Sequence, residues 1–306
     1  MGEPRDIGLM RESVAGIAWR SKFFKLCSLG LGLLILALVT VGFAVERPET
    51  DSGSGGWRGD ALIAHAGGGI DGQEYTNSKE AFEQSYAKGM RSIELDFRLT
   101  SDEKLVCCHT WKEQLCSDYE AGHIYSEEEF LNIHIYDRYT PMSLETVLEL
   151  MKKYDDVWIV TDTKSLEDGQ VQKEFEILLE TAEAADSMEV LNRFVVQLYT
   201  HEMYDMVEEV YSFPTYILTL YRIGGIKGET FEEHCSFLRE KGIEYITMRY
   251  DWVSQEAVAV AGEYGVSVYA HTVNDIEEME ELREMGVKGI YTDEIYPERL
   301  NQQKDI

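Results

Sequence analysis

From residue 61 onward, short apolar runs alternate with segments whose apolar residues recur at helical spacing. The runs ALIAH (61–65), SIELD (92–96), VWIVTD (157–162), FVVQL (194–198), TYILTL (215–220), EYITM (244–248), SVYAH (267–271) and GIYTD (289–293) predict strands. Most are β-branched or aromatic and almost continuously apolar, as in strands buried on both faces. Between them, SLETVLELMKKY puts Leu144, Val147, Leu148 and Met151 on one helix face, with Ser143 able to cap. NDIEEMEELREMG places Ile276, Met279 and Leu282 together, with Asn274 as the expected cap and Gly286 as the stop. NSKEAFEQSYAKG ends in the same way at Gly89. Eight such alternations predict a (β/α)8 TIM barrel, an α/β fold. A doubly wound open sheet is the competing fold, but no GxGxxG follows the first strand.

One segment breaks the alternation. After Asp96 the chain reads FRLTSDEKLVCCHT, two extended runs around Ser101–Lys104. That loop is too short for a parallel crossover, so the runs form a β-hairpin after strand 2. A turn centred between Asp102 and Glu103 pairs Asp96 with His109. Because barrel chemistry sits at the C-terminal ends of strands, the hairpin returns His109 to the mouth.

The N-terminal part has a different pattern. Residues 26–45 (LCSLGLGLLILALVTVGFAV) carry no charge and no polar stripe. At a rise of about 1.5 Å per residue they span about 30 Å, the thickness of a bilayer core. A core helix would show a polar stripe, and a signal peptide usually has a shorter apolar region, so a transmembrane helix is expected. Arg5, Arg11, Arg20, Lys22 and Lys25 precede it against Glu3, Asp6 and Glu12. This bias predicts a single-pass membrane protein with residues 1–25 cytoplasmic and the remainder extracytoplasmic. Residues 46–60, rich in Gly, Ser and charge, read as a flexible linker, and residues 61–306 as the folded domain.

Charge narrows the partners. With 28 Lys+Arg against 57 Asp+Glu, the formal net charge is −29, which disfavours nucleic acid held on a broad basic surface. No protein partner is implied. Of the cysteines, Cys27 lies in the apolar stretch and Cys107, Cys108, Cys116 and Cys235 lie outside it. An outward-facing domain permits disulfides, with Cys108 and Cys116 the nearest plausible pair, while small buried thiols explain the pattern equally well.

The predicted strand ends gather polar chemistry. Strand one ends in His65, followed by Ala66, Gly67, Gly68 and Gly69; strand two carries Glu94 and Asp96 on one side; strand three ends in Asp162, with Lys164 two residues on. The hairpin adds His109. Inward carboxylates in an apolar run are costly unless paired or metal-bound, so Glu94, Asp96 and Asp162 are candidate ligands for one divalent cation, Ca²⁺ or Mg²⁺. Gly67 and Gly68 offer backbone N–H groups, and Lys164 a charge, to phosphate oxygens. His65 and His109 are candidate acid–base catalysts. His201 and His271 earn no role alone, and the acidic helix Glu277, Glu278, Glu280 and Glu281 reads as a solvated face.

From Ala61 to Pro297 the sequence resembles the glycerophosphodiester phosphodiesterases, within the phosphatidylinositol-phospholipase-C-like barrels. The family's His-Arg-Gly is His65-Ala66-Gly67 here, and its Glu-Asn-Thr helix start is Thr76-Asn77-Ser78. Its Glu-x-Asp stands as Glu94-Leu95-Asp96, its His-Asp as His109-Thr110, and its Glu-x-Lys as Asp162-Thr163-Lys164. Thr272-Val273-Asn274-Asp275 and Gly289–Asp293 match later strand ends, with His271 where Trp is usual. The resemblance implies metal-dependent hydrolysis of small glycerophosphodiesters. A neighbouring substrate hydroxyl attacks phosphorus, and water opens the cyclic phosphate that forms. Ala66 in place of Arg removes a guanidinium from phosphate. Two other readings compete: a phospholipase C or D acting on intact lipid, and a phosphodiester-binding ectodomain without turnover.

Overall fold

In the computed structural model the described residues are Trp57, Gly59 and 61–303 apart from 114. The strands are β1 (Leu62–Ala64), β2 (Ser92–Leu99), β3 (Leu105–Cys107), β4 (Trp158–Asp162), β5 (Phe194–Leu198), β6 (Thr215–Thr219), β7 (Tyr245–Arg249), β8 (Ser267–His271) and β9 (Gly289–Thr292). All but β3 pair in parallel, and β1 bonds to both β2 and β9, so they form a closed barrel. Each of the eight expected strands is present, with ends within a residue of expectation except that β2 runs on to Leu99 in the hairpin. The transmembrane helix expected over residues 26–45 falls outside the described residues. Among those described, no helix is long and apolar enough to cross a membrane.

Alternation along the strands divides core from site. Ile63, Val160, Val195, Ile217, Tyr245, Tyr269 and Tyr291 point inward and fill the lower barrel with Trp57. Their neighbours Leu62, Ala64, Ile93, Leu95 and Ile159 face outward into the larger core with the helices. Trp57 lies in the stretch read as a linker, and there the structure revises that reading. Its indole is buried, its N–H donates to Ser92 Oγ at 2.7 Å, and its carbonyl accepts from the Tyr245 hydroxyl at 3.3 Å. The aromatic floor of the barrel holds an indole whose glycine-rich flanks suggest no element.

The helices that matter here are α1 (Lys79–Ala87), α2 (Glu127–Leu131), α3 (Leu144–Lys153) and α4 (Asp168–Ala184). Ser143 caps α3 as expected. The helix over Ile276–Glu284 is capped by Asp275 rather than Asn274, because the Asn274 amide donates to Asp293 at 2.8 Å. The hairpin register also differs by one. Phe97 pairs with Cys107, and the Asp96 carbonyl accepts from the Cys108 N–H at 2.9 Å. Thr100 and Lys104 close a tight turn with Glu103 at φ 62, which centres it on Asp102. Among the described residues, Cys107, Cys108 and Cys235 are free thiols.

On α4, Glu174 is 2% exposed and accepts from Ser165 Oγ at 2.7 Å and Gln170 Nε2 at 3.1 Å. Its other oxygen has no partner. Burial pushes its pKa up from 4.5 to about 7, against those two hydrogen bonds and Arg98. The folded protein therefore holds this proton more tightly than the unfolded chain. The contribution of Glu174 to stability is fully present below pH 4.5 and is lost as pH rises to about 7, by about 3 kcal/mol. Glu174→Gln should lack that decline, so its stability relative to wild type rises across the window. Denaturant unfolding of both proteins at each end of it checks this; parallel curves would contradict it.

Candidate active site

Period-two alternation carries the lower barrel layer upward into the mouth: above Ile63 stands His65, above Ser92 stand Glu94 and Asp96, above Val160 stands Asp162, and above Tyr291 stands Asp293. Glu94, Asp96 and Asp162 bring ligand oxygens within 4.8 Å of one another. Glu94 Oε2 accepts from the Ala66 N–H at 2.6 Å, whereas Oε1 is buried with no partner. Asp96 is clamped by Asn77, whose amide donates to Oδ2 at 2.8 Å and whose Oδ1 accepts the Asp96 N–H at 2.9 Å. Asp162 accepts from the Tyr199 hydroxyl. Lys164 Nζ bonds to Asp96 and lies 3.3 Å from Asp162.

One lysine among three buried carboxylates leaves them short of positive charge. Burial and then the Asp96 charge push Glu94 up to about 8, and burial pushes Asp162 up to about 6. Burial also opposes ionisation of Asp96, but Lys164 outweighs it and holds that carboxyl below its usual range. An unpartnered inward oxygen on Glu94 and an all-oxygen donor set fit a hard divalent cation.

The two histidines stand at the rim of this cluster. His65 Nδ1 donates to Asp293 Oδ1 at 2.9 Å, and Asn274 holds the other Asp293 oxygen. Burial resists a charge on His65, but Asp293 and the nearby Glu94 outweigh it and raise its pKa to about 9. His109, half-buried, donates from Nδ1 to Glu113 at 3.1 Å, and its carbonyl accepts from Arg98 at 2.9 and 3.1 Å. Each ring thus has its Nδ1 on a carboxylate and presents Nε2. Burial lowers the His109 pKa, opposed by Asp96.

The Gly68 amide is placed differently from expectation. The Gly68 N–H donates to the His65 carbonyl at 2.7 Å, so it does not face phosphate. Gly68 has φ 93, and a Cβ there would lie 2.2 Å from Ser85 Oγ, so the residue is needed for close approach to α1. Gly67, at φ 89, continues the left-handed turn begun by Ala66 at φ 49, whose N–H donates to Glu94. From the sequence, Asn77 and Asp293 stand only as members of family motifs, Asn274 as a helix cap and motif member, and Tyr199 not at all. Asp293 at a strand end and Asn77 at the family's helix start carry a usable signal; Tyr199, which stands in no motif, carries none.

Residues 65–296 match the Glycerophosphoryl diester phosphodiesterase family. The chain is 24% identical over 245 residues to YhdW of Bacillus subtilis (strain 168), which carries the name of a glycerophosphodiester phosphodiesterase; the match covers 78% of this chain and 95% of that one. Among solved structures, a phosphodiesterase from Oleispira antarctica in complex with the product sn-glycerol-3-phosphate superposes with a TM-score of 0.65 at 15% identity, covering 81% of this chain and 97% of the other. The glycerophosphodiester phosphodiesterase of Thermotoga maritima gives 0.58 at 21% identity, covering 79% and 97%. At these identities the structural matches establish the barrel fold.

Proposed function

The chain belongs to the glycerophosphoryl diester phosphodiesterase family and is a phosphodiesterase, and from that premise we propose that it hydrolyses small glycerophosphodiesters using one divalent cation and His65 with His109. The observation that carries this reading is the pairing of two carboxylate-backed imidazoles with a three-carboxylate cluster in one barrel mouth. Glu94, Asp96 and Asp162 would hold the cation, which when bound supplies Lewis-acid polarisation of the phosphoryl group. Asp293 and Glu113 orient the imidazoles, leaving Nε2 on each for proton transfer. One histidine takes the proton of the attacking substrate hydroxyl while the other gives one to the leaving alkoxide. The P–O bond to the leaving alcohol breaks as the ring P–O bond forms. The roles then exchange: water adds to the cyclic phosphate and the ring alkoxide is protonated. Lys164 contributes positive charge beside the reacting phosphate.

We place the catalytic domain outside the membrane, anchored by residues 26–45, on the charge bias of the sequence. Purified full-length protein in detergent should release glycerol phosphate from a soluble glycerophosphodiester. Turnover confined to vesicles of intact phospholipid would contradict this reading.

A further inference from the structure

Two tyrosines in the mouth have no part in the chemistry above. Tyr75 lies two residues before Asn77, whose side chain is bonded twice to Asp96, so its backbone is fixed to the site. The Tyr75 ring packs on His65 with centroids 4.7 Å apart and on His109 at 4.6 Å. It therefore borders the space that a diester flanked by both imidazoles must occupy. Tyr136, on the long excursion after β3, is 38% exposed. Its neighbour Ile135 is buried with Ile70, while Arg138 and Tyr139 reach Asp71 at 2.7 and 3.0 Å. These contacts tie the excursion to the loop that carries Tyr75.

Beside His65, whose charge is committed to Asp293, the charges that act most strongly on both rings are carboxylates. Asp293, Glu74, Asp96 and Glu94 act on Tyr75, and Glu113 and Glu74 act on Tyr136. Glu94 and Asp96 belong to the cation cluster, and Asp293 is committed to His65 and Asn274. Glu113 has His109, whereas Glu74 is exposed and pairs with no cation among the described residues. Aromatic faces rimmed by carboxylates attract an alkylammonium group through the ring quadrupole and through charge, without directional hydrogen bonds. A second phosphate would be repelled there, and a polyol would need fixed donors and acceptors.

We propose that Tyr75, Tyr136, Glu74 and Glu113 form the headgroup subsite and select glycerophosphodiesters whose leaving alcohol carries an ammonium group, an inference that rests on the diesterase reading. The test compares kcat/KM for glycerophosphocholine and glycerophosphoglycerol in wild type, Tyr75→Phe, Tyr75→Leu and Glu74→Gln. Wild type should prefer glycerophosphocholine by about tenfold, Tyr75→Phe should keep that ratio, and Tyr75→Leu and Glu74→Gln should each lower it about three- to tenfold. The exposed Glu74 keeps the test usable if Tyr75→Leu folds poorly. Equal wild-type rates on the two substrates would overturn the headgroup assignment and leave the diesterase reading standing. So would a ratio that neither Tyr75→Leu nor Glu74→Gln changes, or a loss that Tyr75→Phe reproduces. Hydrolysis of neither substrate would remove both.

Discussion

Replacing either His65 or His109 with alanine should lower kcat by roughly 10²–10⁴-fold while the protein stays folded and keeps its cation affinity. The carboxylate behind each ring is the reason to expect both losses. Asp293 fixes one ring through Nδ1 and Glu113 fixes the other, so each can move a proton at Nε2. Neither ring is a carboxylate ligand of the cation cluster, which separates their loss from loss of metal. The pH dependence of kcat/KM should be bell-shaped in wild type and lose one limb in each variant. Near-wild-type turnover in folded, metal-replete His109→Ala would remove His109 from the mechanism. His65 would then work with water or another group.

Lys164→Ala should destabilise the metal-free protein by about 3–5 kcal/mol, the effect of removing one partner from a buried ion pair. Lys164 is the cation that bonds Asp96 and faces Asp162, and both carboxylates are buried. Without it, Glu94, Asp96 and Asp162 must repel one another or take up protons. A divalent cation supplies the missing charge, so the same substitution should be far less destabilising when Mg²⁺ or Ca²⁺ is saturating. Thermal melts of wild type and variant, each with chelator and with added cation, measure the difference. An equal loss of stability in the two conditions would mean that Lys164 and the cation do not act on the same carboxylates.

Much of this arrangement is legible in the sequence because barrel strands alternate strictly. Once SIELD and VWIVTD are read as strands with Ile93 and Ile159 outward, Glu94, Asp96 and Asp162 must point inward. The hairpin was legible from loop length, but its register was not. Glu103 adopts a left-handed backbone that a glutamate does not advertise, and that moves the turn by half a residue. Asn274 looked like a helix cap because it precedes the apolar stripe, yet Asp275 can serve there and Asn274 is drawn to Asp293 across the mouth. Gly68 looked like a phosphate donor from its place after His65, but its amide closes its own turn. Tyr75 packed on both histidines is a tertiary result, with no periodicity to announce it.

The central claim, a metal-dependent diesterase, is tested most directly by turnover of a soluble glycerophosphodiester before and after chelation. Purified full-length protein should lose activity with EDTA, show a lower melting temperature, and recover both on addition of Mg²⁺ or Ca²⁺. Activity and melting temperature that EDTA leaves unchanged would contradict the assignment of Glu94, Asp96 and Asp162 as a cation site.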